Sequence, residues 1–399
     1  MADMPDSTPH LERAHAVLAR HPLVDGHNDL LWEARAQTAY DFDRLDISGP
    51  VATTHTDLPR LRAGGVGAQF WSVFVPSTLP EGDAVAATLE QVDGVHRMVQ
   101  TYAADLALAT TADEVEAANA SGRIASLLGA EGGHSIGSSL AVLRQLHALG
   151  VRYLTLTHND NTPWSDSATD VARAGGLTAF GREVVREMNR LGMMVDLSHV
   201  AASTMRDALE TSAAPVIFSH SSARALCDVP RNVPDDVLAT LPGNGGVVMV
   251  TFVPEFVSPE TARWREEAVV AAERAGVSGS DFVAFLDFST GWQREHPKPD
   301  ATIAQVVAHV EHVRDVAGID HIGLGGDYDG TDTFPVGLED VSGYPRLVAA
   351  LAERGWSDDD LGRLVRGNTL RVMREVEAVA RELQATRQPS VATIGQLDG

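Results

Sequence analysis

The residues of this chain best suited to hold metal ions recur at one kind of place, the end of a short apolar run. VDGHNDL carries His27 and Asp29 two positions apart. Alternate side chains of a strand share a face, so this pair could bind one hard or borderline cation, although alone it could equally open a polar loop. GAEGGHS delivers Glu131 from an apolar run into a Gly-Gly turn, where a carboxylate could bridge two metals; His134, beyond the glycines, is read as a loop residue. MMVDLSHV ends at His199 and PVIFSH at His220. Either histidine alone fits a satisfied core or loop position, but His27, Asp29, Glu131, His199 and His220 together fit a binuclear zinc site. HIGLGGDYDG supplies Asp327, placed to shuttle the proton of an activated water, with Asp329 as an alternative two residues on. LTLTHNDNTPWSD supplies His158, a donor that could stabilise an oxyanion. SSARALCDVPRNVPDD offers Arg224 and Arg231, either of which could also be a surface ion-pair partner.

Eight β-branched or apolar runs position these residues: Leu23 to Asp29, Val66 to Val75, Ile124 to Glu131, Val151 to His158, Met193 to His199, Pro215 to His220, Gly246 to Val253 and His321 to Asp327. Segments with helical periodicity separate most of them, among them Asp83 to Tyr102, Thr111 to Ala120, Leu177 to Leu191, Ala202 to Thr211 and Ile303 to Val316. This alternation predicts βα units closing into a (β/α)8 TIM barrel, an α/β fold whose functional residues gather at the C-terminal ends of the strands. Between strands 7 and 8 a long insertion, Glu255 to Asp300, carries its own helix, Glu260 to Ala275, followed by a polar Gly/Ser/Pro-rich stretch, a candidate lid or dimer element. Helices are expected again over Tyr344 to Glu353 and Asp358 to Leu383. No repeat or linker divides the chain, so residues 1–385 are expected to form one domain and 386–399 a loose polar tail.

Composition removes other chemistries. The 31 Lys and Arg against 55 Asp and Glu give a net charge of −24, which repels nucleic acid and anionic membranes. The chain contains no signal-peptide-like start and no apolar run long enough to span a bilayer, so a cytoplasmic protein is expected. The one cysteine, Cys227, excludes an intrachain disulfide and cysteine-based zinc sites, leaving His and carboxylates as ligands. The one lysine, Lys298, lies in HPKPD, where it serves neither as a Schiff base, nor as a phosphate-loop lysine, nor as a carboxylated metal bridge.

DGHNDL, AEGGHS, THNDNTPW, GMMVDLSHV, SHSSARAL with RNVPDD, and IGLGGDYDG occur in that order between about residue 25 and residue 330. Through this ordered set the sequence resembles the membrane dipeptidase (renal dipeptidase) family of zinc peptidases, and GNTLRVMREVE extends the likeness. The resemblance implies a (β/α)8 barrel with two zinc ions, one on His27 and Asp29, the other on His199 and His220, with Glu131 bridging. It implies Asp327 as the proton-transferring residue, His158 at the reacting carbonyl and Arg231 on the substrate carboxylate. It further implies dipeptide substrates, tolerance of a D-residue on the C-terminal side, and a homodimer. Two features depart from the family: TFVPEFV stands where a more polar, Tyr-containing segment is expected, and Arg224 where an uncharged residue is. With Arg231, Arg224 would favour an acidic C-terminal residue. The competing expectation is another metal-dependent barrel hydrolase, such as a lactonase, but those commonly begin with His-x-His and many bridge their metals with a modified Lys.

Overall fold

The computed structural model describes residues 8–278 and 282–399. The first seven residues of the expected domain, and 279–281 of the expected polar stretch, lie outside the described residues. Nine parallel strands form the sheet: β1 (Leu23–Asn28), β2 (Val66–Phe74), β3 (Leu106–Leu108), β4 (Ile124–Glu131), β5 (Val151–Thr155), β6 (Met194–Asp196), β7 (Ile217–Ser221), β8 (Val247–Val250) and β9 (Ile322–Leu324). Eight of them close into a barrel in chain order, β2 pairing with β4 and β9 with β1, with helices around the outside. The ninth, β3, is too short to be legible as a strand. It pairs Leu106 with Ile124 and Leu108 with Ser126, below the point where β5 takes up the same strand at Leu128.

The strands read as near-continuous apolar runs because both of their faces are covered. One core fills the barrel and includes Val24, Ala68, Phe70, Ala125, Leu127, Tyr153, Met194, Ile217, Val247 and Met249. Leu370, Val372, Met373 and Val376 of the helix Asn368–Thr386 join this core. A larger core lies between strands and helices and extends from Ala14 to Val365. In β4 the alternation puts Ala125, Leu127, Gly129 and Glu131 in line, so the residue that ends the interior row is a carboxylate.

Most of the helices form where the periodicity places them, but three segments differ from expectation. Asp358 to Leu383 is broken: a helix Asp358–Gly362 passes through a π-helical turn Arg363–Gly367 into Asn368–Thr386. The side chain of Asn368, just past that turn, donates to the carbonyls of Ile319 and Ile322. The insertion contains not one long helix but two, Pro259–Arg274 and Phe282–Trp292, preceded by the single turn Pro254–Val257. The second lies within the stretch expected to be polar, yet FVAFLDFSTGW is apolar, and its Phe285, Phe288 and Trp292 pack on Trp264, Ala268 and Ala272 of the first. Of residues 386–399, expected as a loose tail, Thr386 ends the helix Asn368–Thr386, and 387–399 lie against the helices Leu140–Ala148 and Ala179–Leu191: Arg387 pairs with Glu183, Arg144 donates to the Ser390 carbonyl at 2.8 Å, and the Asp398 carboxylate accepts from Thr178 Oγ1 at 2.6 Å and Phe180 N at 3.1 Å. Their polar atoms find partners that composition alone cannot reveal. No helix among the described residues is long and apolar enough to cross a membrane.

Gly129 makes the interior of the barrel possible at one point. A Cβ there would lie 1.9 Å from Cζ of Tyr153, whose ring crosses the barrel from the neighbouring strand. Gly129→Ala is therefore expected to lower stability by about 1–3 kcal/mol through overpacking, read as a lower midpoint in urea. An unchanged midpoint would show that the Tyr153 ring can move aside freely.

Candidate metal centre

The strands deliver their functional residues just past their C-terminal ends, and the last turn of backbone does the aiming. His220 lies within β7, but His199 lies three residues beyond β6, His158 three beyond β5 and Asp327 three beyond β9. His199, Asp327 and Asp329 adopt φ of +66°, +63° and +66°, a left-handed conformation that non-glycine residues rarely take outside constrained functional positions. His27 and Asp29 do come together, with His27 Nε2 3.3 Å from Asp29 Oδ2, but not by strand alternation. β1 ends at Asn28, and Asp29 caps the helix Leu30–Thr38. A register shift between Asp25 and Asn28 accompanies this turn.

Glu131 is the centre of the cluster. Its Oε1 lies 2.9 Å from His199 Nε2, 3.5 Å from His220 Nε2 and 3.9 Å from His158 Nε2, while its Oε2 lies 3.5 Å from His27 Nε2 and accepts from Ser72 Oγ at 3.0 Å. Asp327 Oδ1 is 3.9 Å from His27 Nε2. Three groups of donor atoms converge closely enough to hold a cation: His27, Glu131 and His220; Glu131, His158 and His199; His27, Asp29 and Asp327. All five residues expected as metal ligands are in these groups. The grouping differs in detail from the implied one, since His220 falls with His27 and His158 with His199.

The outer nitrogens of two imidazoles are fixed so that Nε2 presents a lone pair inward. Ser219 Oγ donates to Asp196 Oδ2 at 2.6 Å, so the 2.8 Å contact between Ser219 Oγ and His220 Nδ1 takes its proton from the imidazole. Tyr153 Oη lies 2.8 Å from His27 Nδ1 and donates to the Gly26 carbonyl at 3.3 Å, giving His27 the same tautomer. Such partners orient metal-binding histidines. Asp196 is itself held by Thr155 Oγ1 at 2.5 Å and Ser219 N at 2.8 Å. These four side chains, Tyr153, Ser219, Asp196 and Thr155, brace the cluster from behind and are not visible to pattern reading. The only sequence signal they give is a polar atom inside an apolar strand.

The electrostatics suit cations. Burial, with Arg231 nearby, holds His199 well below its ordinary value, and burial with His27 does the same for His220, so both are neutral. Burial pushes His158 down to about 4, leaving a neutral donor. Burial, reinforced by Asp29 and Glu131, pushes Asp327 up to about 8, the mark of more buried carboxylate charge than the protein compensates. His27 Nε2, buried and facing three carboxylates, has no hydrogen-bond partner among the described residues. A nitrogen-and-oxygen donor set of this kind fits zinc. Gly330 keeps the space open, since a Cβ there would sit 2.4 Å from Asp327 Oδ1 and 2.5 Å from Asp29 Oδ2.

The remaining expected residues separate. Arg231 is buried, 5.1 Å above the Phe256 ring, and its Nη1 has no hydrogen-bond partner among the described residues. Burial lowers it to about 10, with Asp327 and Glu131 opposing. Arg224 is not brought to the cluster: its guanidinium donates to the carbonyls of Val229 at 3.2 Å and Pro230 at 2.5 Å, within the loop that carries Arg231. Asp329 turns away, its Oδ1 accepting from His55 N at 2.5 Å. His134 contacts the Val75 carbonyl at 2.9 Å, and Cys227 is buried, its thiol pushed up to about 11 by that burial, as loop and core residues should be.

The sequence model of the family described as Membrane dipeptidase (Peptidase family M19) matches residues 11–387. Among solved structures, the fold is similar to that of the probable dipeptidase PvdM from Pseudomonas aeruginosa, at 22% identity and TM-score 0.81, over 93% of this chain and 99% of that one. A metallo peptidase from Rhodobacter sphaeroides, liganded with a phosphinate mimic of the dipeptide L-Ala-D-Ala, is 25% identical with TM-score 0.74 over 89% of this chain and 99% of that one. A structure described as dipeptidase AC is 27% identical with TM-score 0.73 over 89% and 98%.

Tyr153→Phe removes only the oxygen that orients His27. It is expected to weaken metal binding by about 10- to 100-fold, measured by competition with a chromogenic chelator. Unaltered affinity would mean that His27 is oriented by packing alone.

Proposed function

This chain belongs to the membrane dipeptidase family and is a metal-dependent dipeptidase, and on that footing we propose that it works with two zinc ions. His27 and Asp29 hold one, His199 and His220 the other, and Glu131 lies between them. The observation that carries this reading is the placement of Glu131, with one carboxylate oxygen toward His199 and His220 and the other toward His27. Two such cations supply Lewis acidity for a peptide carbonyl and an activated water near neutral pH.

The chain's own residues do the rest. Asp327 takes the proton from the attacking water and returns it to the amide nitrogen as the C–N bond breaks. His158, neutral and beside Glu131, donates from its imidazole to the oxygen on which charge develops. Arg231 offers its unpartnered Nη1 to the C-terminal carboxylate of the substrate. Burial of the whole group strengthens each of these interactions. The L-Ala-D-Ala mimic bound by the Rhodobacter sphaeroides relative supports acceptance of a D-residue on the C-terminal side. Arg224 is assigned to bracing its own loop, where its Nε and Nη2 donate to backbone carbonyls, and not to a preference for acidic C-terminal residues.

Zinc-loaded protein incubated with a library of L-Xaa-L-Xaa and L-Xaa-D-Xaa dipeptides is expected to release free amino acids, with about two metals per chain if each donor set of this kind fills. Metal binding without dipeptide cleavage would refute the substrate class. Asp327→Asn is expected to lower kcat by about 10²- to 10⁴-fold while retaining the metal; a kcat near that of the unmodified protein would remove Asp327 from proton transfer. Prior treatment with a strong chelator should abolish turnover, and zinc should restore it.

A further inference from the structure

The insertion between β8 and β9 contains the chain's single lysine, which the reaction described above does not use. The Lys298 side chain is only 10% exposed, and its Nζ lies 2.8 Å from Glu255 Oε1, 2.8 Å from Thr333 Oγ1, 3.7 Å from Asp332 Oδ1 and 5.5 Å from the centre of the Trp264 ring. The backbone around it is fastened to the helix Pro259–Arg274: Trp264 Nε1 donates to the His296 carbonyl at 2.6 Å and Thr261 Oγ1 to that of Pro299 at 3.2 Å. A largely desolvated ammonium is stable only where acceptors meet it, so Lys298 constrains the segments that supply them.

Those segments are the two that flank the substrate-binding and proton-transferring residues. Glu255 directly precedes Phe256, whose ring lies 5.1 Å beneath the Arg231 guanidinium and whose carbonyl accepts from Asn232 Nδ2 at 2.8 Å. Asp332 and Thr333 belong to the segment that follows Asp327, and the next residue, Phe334, packs on Tyr328 at 4.5 Å and on His55 at 4.8 Å between ring centres. Lys298 therefore spans from the seat of Arg231 to the loop of Asp327. Arg265 also faces Glu255 and Asp332 from the insertion, its guanidinium 3.7 Å from the centre of the Phe285 ring, so losing Lys298 does not leave the two carboxylates without any cation.

We propose that Lys298 is a positioning residue for substrate recognition: pinned between Glu255 and the post-β9 segment, it fixes the aromatic seat of Arg231 and so sets affinity for the substrate's C-terminal carboxylate without touching substrate. The proposal rests on the dipeptidase reading above. It gives the insertion a task in specificity that a mere surface elaboration would not have.

The test compares the unmodified protein, Lys298→Met and Lys298→Arg, all zinc-loaded, on one dipeptide and on the same dipeptide as its C-terminal amide, which has no carboxylate for Arg231. Lys298→Met is expected to raise KM for the free dipeptide about tenfold with kcat within about twofold, to leave KM for the amide unchanged, and to be largely rescued in Lys298→Arg. Equal KM changes on both substrates, or no change in a variant that folds and binds metal normally, would overturn the proposal. If Lys298→Met does not fold, Glu255→Gln removes the same ion pair at constant volume and must give the same split. Cleavage of neither substrate by the unmodified protein overturns the dipeptidase reading and this proposal with it, whereas cleavage without a KM split overturns the proposal alone.

Discussion

An ionised carboxylate at the mouth of a closed barrel has lost most of its water, at a cost of several kcal/mol unless other groups replace that solvation. Glu131 is such a carboxylate, and the surrounding architecture follows from compensating it. Four imidazoles from four strand ends lie within 3.9 Å of its oxygens, and Ser72 from the adjacent strand donates to one of them. Burial leaves His158, His199 and His220 neutral; only His27, which Tyr153, Glu131 and Asp29 push well above its ordinary value against its own burial, offsets the carboxylates around it, so the cluster suits cations.

That requirement propagates outward through geometry. Nε2 of all four imidazoles faces inward, and for two of them the barrel wall supplies the Nδ1 partner, Tyr153 from β5 for His27 and Ser219 from β7 for His220. Tyr153 can reach across the barrel to His27 only because Gly129, beside it on β4, lacks a side chain. Asp327 and Asp29 can approach one another only because Gly330 lacks one as well. Left-handed backbone at His199 and Asp327 stores strain that the packed barrel can hold. Rigidity of this kind favours a reaction in which the groups are placed before the substrate arrives.

Outside this centre the structure divides labour between loops. The loop after β7 carries Arg231, whose unpartnered nitrogen leaves it free for an anion, while Arg224 in the same loop uses its charge on backbone carbonyls. Among the described residues the insertion after β8 places no donor in the candidate metal cluster; Lys298 and Arg265 instead face carboxylates of neighbouring loops. The terminal segment satisfies exposed donors of the helix Ala179–Leu191, including the amide of Phe180 near its start.

The chain's order of apolar runs and helical periods determined the barrel by itself, because parallel strands buried on both faces leave a pattern of composition that any register preserves. It also determined which carboxylate and histidines could bind metal, since a titratable group that ends an apolar strand is visible in one dimension. What it left undecided was every relation across strands. His27 and Asp29 meet through a turn and not through strand alternation, a difference of backbone dihedrals. Tyr153 reads as a core residue until β5 is set against β4, and the apolar FVAFLDFSTGW inside the insertion has no visible partner until Trp264 is opposite it. Arg224 and Arg231 are equivalent cations in sequence, and only the fold gave one its backbone partners and left the other a free nitrogen, because a hydrogen bond depends on distances between atoms that the chain does not bring together until it closes.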